Sequence, residues 1–450
     1  MKYFGTDGIR NRAYEGVLSV ENLVKWGKAI ATAIINNFKD EKCLSVVIGM
    51  DTRLSSKPIT KILIDSIKRT GIDIINVGVL PTPAIAYLTR FHKANAGIVI
   101  SASHNPYEDN GIKIFDADGY KVSENFELEI EKYFDTEDFA SEVAKIGEIT
   151  KDGYKEYLEA LIQRAGGVNA FKGKRIFIDC ANGAAHKIAP ELFAKLGCDV
   201  KSISCKPDGK NINVNCGAVH PEILASEMVG MKDFIGVSFD GDADRAMYID
   251  ETGTVRDGDY WLYIVAKRLS ESGDLNHKQV VGTLITNLGL EMSLEKIGIS
   301  FARTDVGDKF ISRLMLKENY VLGGEQSGHY LIYTGTPAFT TGDGLLSTIE
   351  LLKSMKHFDE TLAKLSNPLI KMPQLSINVQ VSSKPALETI PEVYAKIKEI
   401  EKKTTGWGRI VFRYSGTEPL ARIMVEGKPI AKLEMLANEL KDLVIRNIGS

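Results

Sequence analysis

Residues 44–78 read LSVVIGMDTRLSSKPITKILIDSIKRTGIDIINVG. Leu44–Gly49 is an apolar, β-branched run. The polar turn Asp51-Thr52-Arg53 follows, then a helical stretch to about Arg69 and a second apolar run, Ile72–Gly78. Strand, helix and strand in one short span form a βαβ unit, with parallel strands and a right-handed crossover. The plan recurs twice. Arg175–Asp179 leads through Cys180-Ala181-Asn182-Gly183 into a helix over Ile188–Leu196 and a strand over Asp199–Ser204. Gln279–Ile285 leads through Asn287-Leu288-Gly289 into a helix over Glu291–Ile297 and a strand over Ile299–Thr304. Long stretches with their own elements separate the units, which favours three α/β domains over one large sheet.

Beyond Asn367-Pro368 and Pro373 the pattern changes. Strands over Leu375–Val381, Arg409–Tyr414 and Ala421–Glu426 alternate with helices over Pro391–Lys403 and Ile430–Ile445, a small α+β domain. With seams near residues 148–153, 251–257 and 370, the expected domains are 1–150, 151–252, 253–369 and 370–450. The fold class is α/β: three similar mixed α/β domains and a smaller C-terminal α+β domain, around a central cleft.

The chain has 450 residues, 44% hydrophobic and 26% charged, which excludes wholesale disorder. The longest apolar stretches are only several residues, far short of the ~20 that span a bilayer. The opening Met1-Lys2-Tyr3-Phe4-Gly5 lacks a secretory apolar core. A formal net charge of −3 argues against a nucleic-acid binder and leaves an anionic substrate to locally gathered cations. Five cysteines without a C-x-x-C pair read as free thiols in a reducing cytoplasm.

Four motifs carry chemistry. Ser101-Ala102-Ser103-His104-Asn105-Pro106 directly follows the buried-type strand Ala96–Ile100, in the usual ligand position of an open α/β sheet. Asp240-Gly241-Asp242-Ala243-Asp244-Arg245 follows the strand Phe234–Phe239, and its three alternate carboxylates suit one hard cation of the Mg²⁺ type. An EF-hand is the competitor, because Glu251 falls at loop position twelve; Arg245 at position six and the preceding strand argue against it. Gly323-Gly324-Glu325-Gln326-Ser327-Gly328-His329 follows a strand over Tyr320–Leu322. In an extended loop Glu325 and Ser327 share one side, a pair suited to sugar hydroxyls, and His329 is a candidate acid or base. Arg413-Tyr414-Ser415-Gly416-Thr417-Glu418-Pro419, with Arg422 beyond, offers backbone donors and hydroxyls between two arginines, a phosphate cradle. Metal, serine turn, polyol reader and phosphate cradle together imply phosphoryl transfer on a sugar.

In this order the motifs resemble the α-D-phosphohexomutase superfamily, from Phe4-Gly5-Thr6-Asp7-Gly8-Ile9-Arg10 to Arg422. The sequences YFGTDGIR, GGEQSGH, Thr340-Thr341-Gly342-Asp343-Gly344 and RYSGTEPLARIMVEG are most similar to its bacterial amino-sugar branch; the glucose and mannose phosphate branch is the alternative. The resemblance implies a cytoplasmic isomerase, monomer or homodimer, with a small phosphosugar substrate and neither nucleic-acid nor membrane partner. It makes Ser103 a phosphoserine and assigns one Mg²⁺ per subunit to Ser103, Asp240, Asp242 and Asp244. It places Arg10, His104, Lys113, Arg245 and His329 at the reaction centre, with Lys113 favoured over His329 as general base. It gives substrate binding to Thr6, Glu325, Ser327, Arg413, Ser415, Gly416, Thr417 and Arg422, and makes a hexose 1,6-bisphosphate the activator. Three positions depart from the family pattern: Asn11, Lys309 and Ala243. Alanine at 243 disfavours positive φ, so a slightly shifted metal loop is expected.

Overall fold

The computed structural model describes residues 1–143, 148–150, 152–415 and 418–449. Its first sheet comprises β1 (Ile9–Arg12), β2 (Ser45–Met50), β3 (Asp73–Val79), β4 (Ala96–Ile100), β5 (Asp109–Phe115) and β6 (Glu148–Thr150), in the order β1-β5-β4-β2-β3-β6. β4, β2, β3 and β6 run parallel; β5 runs antiparallel to β4, and β1 pairs antiparallel with β5 at the edge. The second sheet holds β7 (Arg175–Asp179), β8 (Asp199–Ile203), β9 (Phe234–Phe239), β10 (Ala246–Ile249) and β11 (Val255–Arg256), ordered β11-β10-β9-β7-β8. The third has β12 (Gln279–Thr283), β13 (Ser300–Thr304), β14 (Leu322–Gly324) and β15 (Tyr330–Ile332), ordered β13-β12-β14-β15. Each is a parallel centre with antiparallel strands at one side. The fourth is wholly antiparallel: β16 (Gln374–Gln380), β17 (Gly408–Tyr414) and β18 (Leu420–Gly427), with β18 central. Three mixed α/β sheets and a smaller α+β unit are the expected architecture.

The central strands explain why the sheets form. β4 (AGIVI) and β9 (FIGVSF) are buried at every position. Continuous apolar runs suit strands covered on both faces by helices. Several helices start where the chain supplies a cap: the Asp257 side chain accepts from the Asp259 amide, and Asp343 from Leu346 at 2.9 Å.

The packing joins the first three sheets. One contiguous apolar core runs from Val47 through Val237 and Trp261 to Leu369. A second core, Phe4 to Phe134, lies in the first unit alone, and a third, Val379 to Ile448, in the C-terminal unit alone. Polar ties join the C-terminal unit to the third sheet. Arg409 donates to the carbonyls of Leu284 (2.8 Å) and Thr286 (2.6 Å) and to Glu426 (2.7 Å), while Glu426 accepts from the Leu288 amide (2.7 Å).

One strand differs from its sequence reading. The run expected over Tyr320–Leu322 pairs over Leu322–Gly324 instead. Its glycines are not loop residues open to a ligand. A Cβ on Gly323 would lie 2.6 Å from the Ile311 side chain, so glycine lets the helix Asp308–Glu318 pack against β14.

Candidate active site

The parallel strands bring the motifs together at their carboxyl ends. β4 delivers Ser101–Asn105 and β9 delivers Asp240–Arg245. Ser103 is buried and stands at φ 52°, the left-handed region that non-glycine residues rarely occupy. Its hydroxyl donates to Asp240 Oδ2 at 2.6 Å and lies 3.3 Å from His104 Nδ1. The serine turn and acidic loop, distant in sequence, thus meet directly.

Asp240, Asp242 and Asp244 present carboxylate oxygens within 4.8 Å of one another, all buried. Burial and the neighbouring charges of Asp244 and Asp242 push Asp240 well above the ordinary carboxylate range. Asp242 Oδ1 and Asp244 Oδ1 are buried and lack a hydrogen bond. Crowded anions with unsatisfied oxygens fit a hard divalent cation. Ala243 takes φ 55° within this loop and is fully buried. The loop keeps its left-handed turn despite the alanine: the 243 amide donates to the Asp240 carbonyl at 3.0 Å, and the 243 carbonyl accepts from Gly344 at 3.0 Å. These tertiary bonds offset the ~1 kcal/mol cost of that conformation.

Cations surround the triad. Lys113 Nζ lies 2.8 Å from Asp242, 3.1 Å from Asp244 and 2.9 Å from Asp7. Burial alone would lower its pKa, but the three carboxylates outweigh it and hold the ammonium well above the ordinary lysine range. His329 Nδ1 is 3.6 Å from Asp244, and its Nε2 is 3.2 Å from Asp308. Burial opposes the charge on His329, yet Asp308 and Asp244 raise it to about 10. His104 goes the other way: burial, then Arg245 and Arg10, lower it to about 4. Arg10 reaches the Ala102 carbonyl at 3.3 Å and Asn105 Oδ1 at 3.4 Å, and also pairs with Asp7. The Arg245 amide donates to Asp240 at 3.1 Å, and its Nε is buried without a hydrogen bond.

The GGEQSGH motif forms a tight turn rather than an extended loop. The Gly328 amide donates to the Glu325 carbonyl at 3.1 Å, and Gly328 at φ 91° reverses the chain into β15. Glu325 and Ser327 therefore do not share a side as extended residues would. Glu325 is half-buried and accepts from the Gly307 amide at 3.2 Å; Ser327 is exposed. Thr6 lines a cavity of about 80 Å³ beside Asp7, Lys113 and Lys121.

On the fourth sheet, Arg413 and Arg422 lie directly opposite each other across β17 and β18. Like charges so placed are unfavourable without an anion between them. Arg422 pairs with Glu418 at 2.5 Å, but its Nε is buried without a hydrogen bond. The Ser415 carbonyl accepts from Lys384 at 2.6 Å. Gly416 and Thr417 lie outside the described residues. Among the described residues, no hydrogen bond or ion pair joins this loop to the Ser103 cluster.

Sequence reasoning missed several groups. Asp308 and Lys121 link the first and third units: Lys121 Nζ bridges Asp7 Oδ1 at 2.6 Å and Asp308 Oδ2 at 2.5 Å. Arg53 and Asn213 reach the serine turn from behind. Only the turn Asp51-Thr52-Arg53 carried a signal, as polar residues just past a buried strand.

Comparison with known proteins identifies the four units. Models of phosphoglucomutase/phosphomannomutase α/β/α domains I, II and III match residues 1–141, 155–253 and 257–372, and the C-terminal domain model matches 377–443. The chain belongs to this phosphohexomutase family. It is 39% identical to a phosphoglucosamine mutase of Pelobacter propionicus, over 100% of this chain and 99% of that protein. It is 41% identical to one of Clostridium acetobutylicum, over 98% of each. A phosphoglucomutase/phosphomannomutase family protein of Burkholderia thailandensis shares the fold with TM-score 0.80 at 21% identity, over 99% of both chains. So does Aspergillus fumigatus N-acetylphosphoglucosamine mutase, in complex with GlcNAc-6P and magnesium, with TM-score 0.69 at 17% identity, over 98% of this chain and 95% of that one. Among the described residues no helix is long and apolar enough to cross a membrane.

Proposed function

We propose that the chain interconverts glucosamine 6-phosphate and glucosamine 1-phosphate, the activity of a phosphoglucosamine mutase, through a phosphoserine at residue 103. The observation that carries this reading is the direct contact of the Ser103 hydroxyl with the acidic loop, in a chain about 40% identical end to end to enzymes of that name. Asp240, Asp242 and Asp244, with the Ser103 phosphate, would hold one Mg²⁺, which offsets charge on the transferring phosphoryl group.

In the first transfer the sugar O1 bonds to phosphorus, the bond to Ser103 Oγ breaks, and the O1 proton leaves to a base. The product is the 1,6-bisphosphate, which as added activator also primes Ser103. It turns over, the 6-phosphoryl returns to Ser103, and glucosamine 1-phosphate departs. Arg10, Arg245 and His104 border the transfer. Lys113 and His329 both stand charged here, which suits them to offset phosphoryl charge. A base must be neutral when it takes the O1 proton, so whichever of the two serves first gives up its own proton to solvent, and kcat–pH profiles of Lys113→Arg and His329→Gln tell which. Thr6, Glu325 and Ser327 contact the sugar. Arg413, Ser415, Gly416, Thr417 and Arg422 hold the phosphate that is not reacting, and the opposed arginines support that role. The reaction belongs to the cytoplasm, where it supplies the precursor of UDP-N-acetylglucosamine.

The test is a set of initial rates with Mg²⁺ and a hexose 1,6-bisphosphate, comparing glucosamine, glucose and mannose phosphates. Preference for glucosamine phosphate by 10-fold or more in kcat/KM is expected. Preference for glucose or mannose phosphate would keep the mechanism and replace the substrate.

A further inference from the structure

The turn that carries Ser103 is held from behind by two side chains of different units. Arg53, at the carboxyl end of β2, has a side chain wholly shielded from solvent. Its Nη2 donates to the carbonyls of Ser103 (2.8 Å) and Asn105 (2.8 Å). Its Nη1 donates to the Asp109 carbonyl (3.2 Å) and to that of Pro106. Its Nε is fixed by Asp51 at 2.8 Å. Asn213, from the second unit, donates its Nδ2 to the same Ser103 carbonyl at 2.9 Å and to the Asn105 carbonyl at 3.2 Å. The amide side of the turn leads back to the same place. The Ser103 amide donates to Ser101 Oγ (2.9 Å), which donates to Asp51 (2.7 Å).

This arrangement has a chemical reason. A left-handed serine is strained and persists only where its surroundings over-determine it. A carbonyl oxygen turned toward a phosphate dianion would repel it. Tying the Ser103 and Asn105 carbonyls to Arg53 and Asn213 keeps both turned away from the face that meets Asp240. A planar guanidinium with five donors reaches four carbonyls and a carboxylate at once; an ammonium has three donors and no fixed plane.

We propose that Arg53, with Asn213, is a positioning residue for phosphoryl transfer: the pair clamps the backbone of the Ser103 turn from two units and so sets the aim of the reactive hydroxyl. Neither side chain touches the sugar, so their loss reads in kcat and not in KM. This inference rests on the phosphoserine reading above, and its test includes a readout that does not need turnover.

The test compares wild type with Arg53→Lys, Asn213→Ala and the double variant, in the full chain. It measures kcat and KM with the preferred hexose phosphate, Mg²⁺ and bisphosphate, the midpoint of thermal unfolding, and hydrogen exchange over Ala102–Asp109. Expected are a 10- to 100-fold loss of kcat in Arg53→Lys, a smaller loss in Asn213→Ala, and KM within about 2-fold. Exchange should accelerate in the turn and not elsewhere, and the double variant should fall short of the product of the single losses, because both donors serve the same two carbonyls. A kcat within 2-fold of wild type in both single variants overturns the proposal. So does a loss matched only by a lower unfolding midpoint, with the turn still protected. Arg53 is deeply buried, and Asn213→Ala keeps the test decisive if Arg53→Lys folds poorly. Should wild type turn over no hexose phosphate, the functional reading fails by itself and exchange in the turn still decides whether the clamp exists.

Discussion

At the scale of single residues the site is a balance of charges that each hold another in place. Asp242 meets Lys113 at 2.8 Å and accepts from the Thr82 hydroxyl at 2.5 Å, and its remaining oxygen is unsatisfied. Asp242→Asn removes one negative charge where a divalent cation would bind. The half-saturating Mg²⁺ concentration for activity is expected to rise at least about 10-fold. Unchanged metal dependence would show that the triad does not ligate. Arg422 has a buried, unpartnered Nε beside Arg413. Arg422→Ala is expected to raise KM for the sugar phosphate about 10-fold or more, the worth of a charge-assisted hydrogen bond, with a smaller change in kcat. An unchanged KM would remove this loop from substrate binding.

Elements put those residues in place, and here one buried acid gives a pH dependence. Asp343 caps the helix Gly344–Phe358, accepts from Tyr157 at 2.7 Å and is buried. Burial raises its carboxyl to about 6, although Tyr157 favours the charged form. An acid whose folded pKa lies above its unfolded value is most favourable to the fold when protonated. Its contribution is undiminished below about pH 4 and falls as pH rises from about 4 to 6, by about 3 kcal/mol. Asp343→Asn is expected to remove that share of the slope, measured by denaturant unfolding at pH 4 and pH 7. An identical pH slope in the variant would refute the assignment. Sequence made the elements themselves legible: β4, β7 and β9 have the bounds their apolar runs predict, because strands covered on both faces read as near-continuous apolar runs. The GGEQSGH stretch forms a turn rather than an extended loop because its first glycine, Gly323, serves helix packing, which depends on Ile311 and Met315 and not on local residue type. Arg53 and Asn213 escaped notice for a similar reason. The Ser103 carbonyl, one of two they share, lies 50 residues from one and 110 from the other, and no local pattern encodes such a pairing.

Over the whole molecule, the distribution of apolar cores decides which parts move together. The first three units share a core that runs from Val47 to Leu369, whereas the C-terminal unit closes its own core and meets its neighbours through polar ties such as Arg409 and Glu426. Calorimetry is therefore expected to resolve two transitions. The smaller, from about 80 residues, should carry about 50–60 kcal/mol of enthalpy. A single cooperative peak would show that the polar ties couple the units as tightly as shared core does.

If Ser103 carries the phosphoryl group as proposed, its backbone also limits which amino acid could take its place. A threonine hydroxyl has the same nucleophilic chemistry, but its branched Cβ is crowded in the left-handed region that residue 103 occupies at φ 52°. Two alcohols of like reactivity would thus be told apart at this position by the shape of the main chain alone.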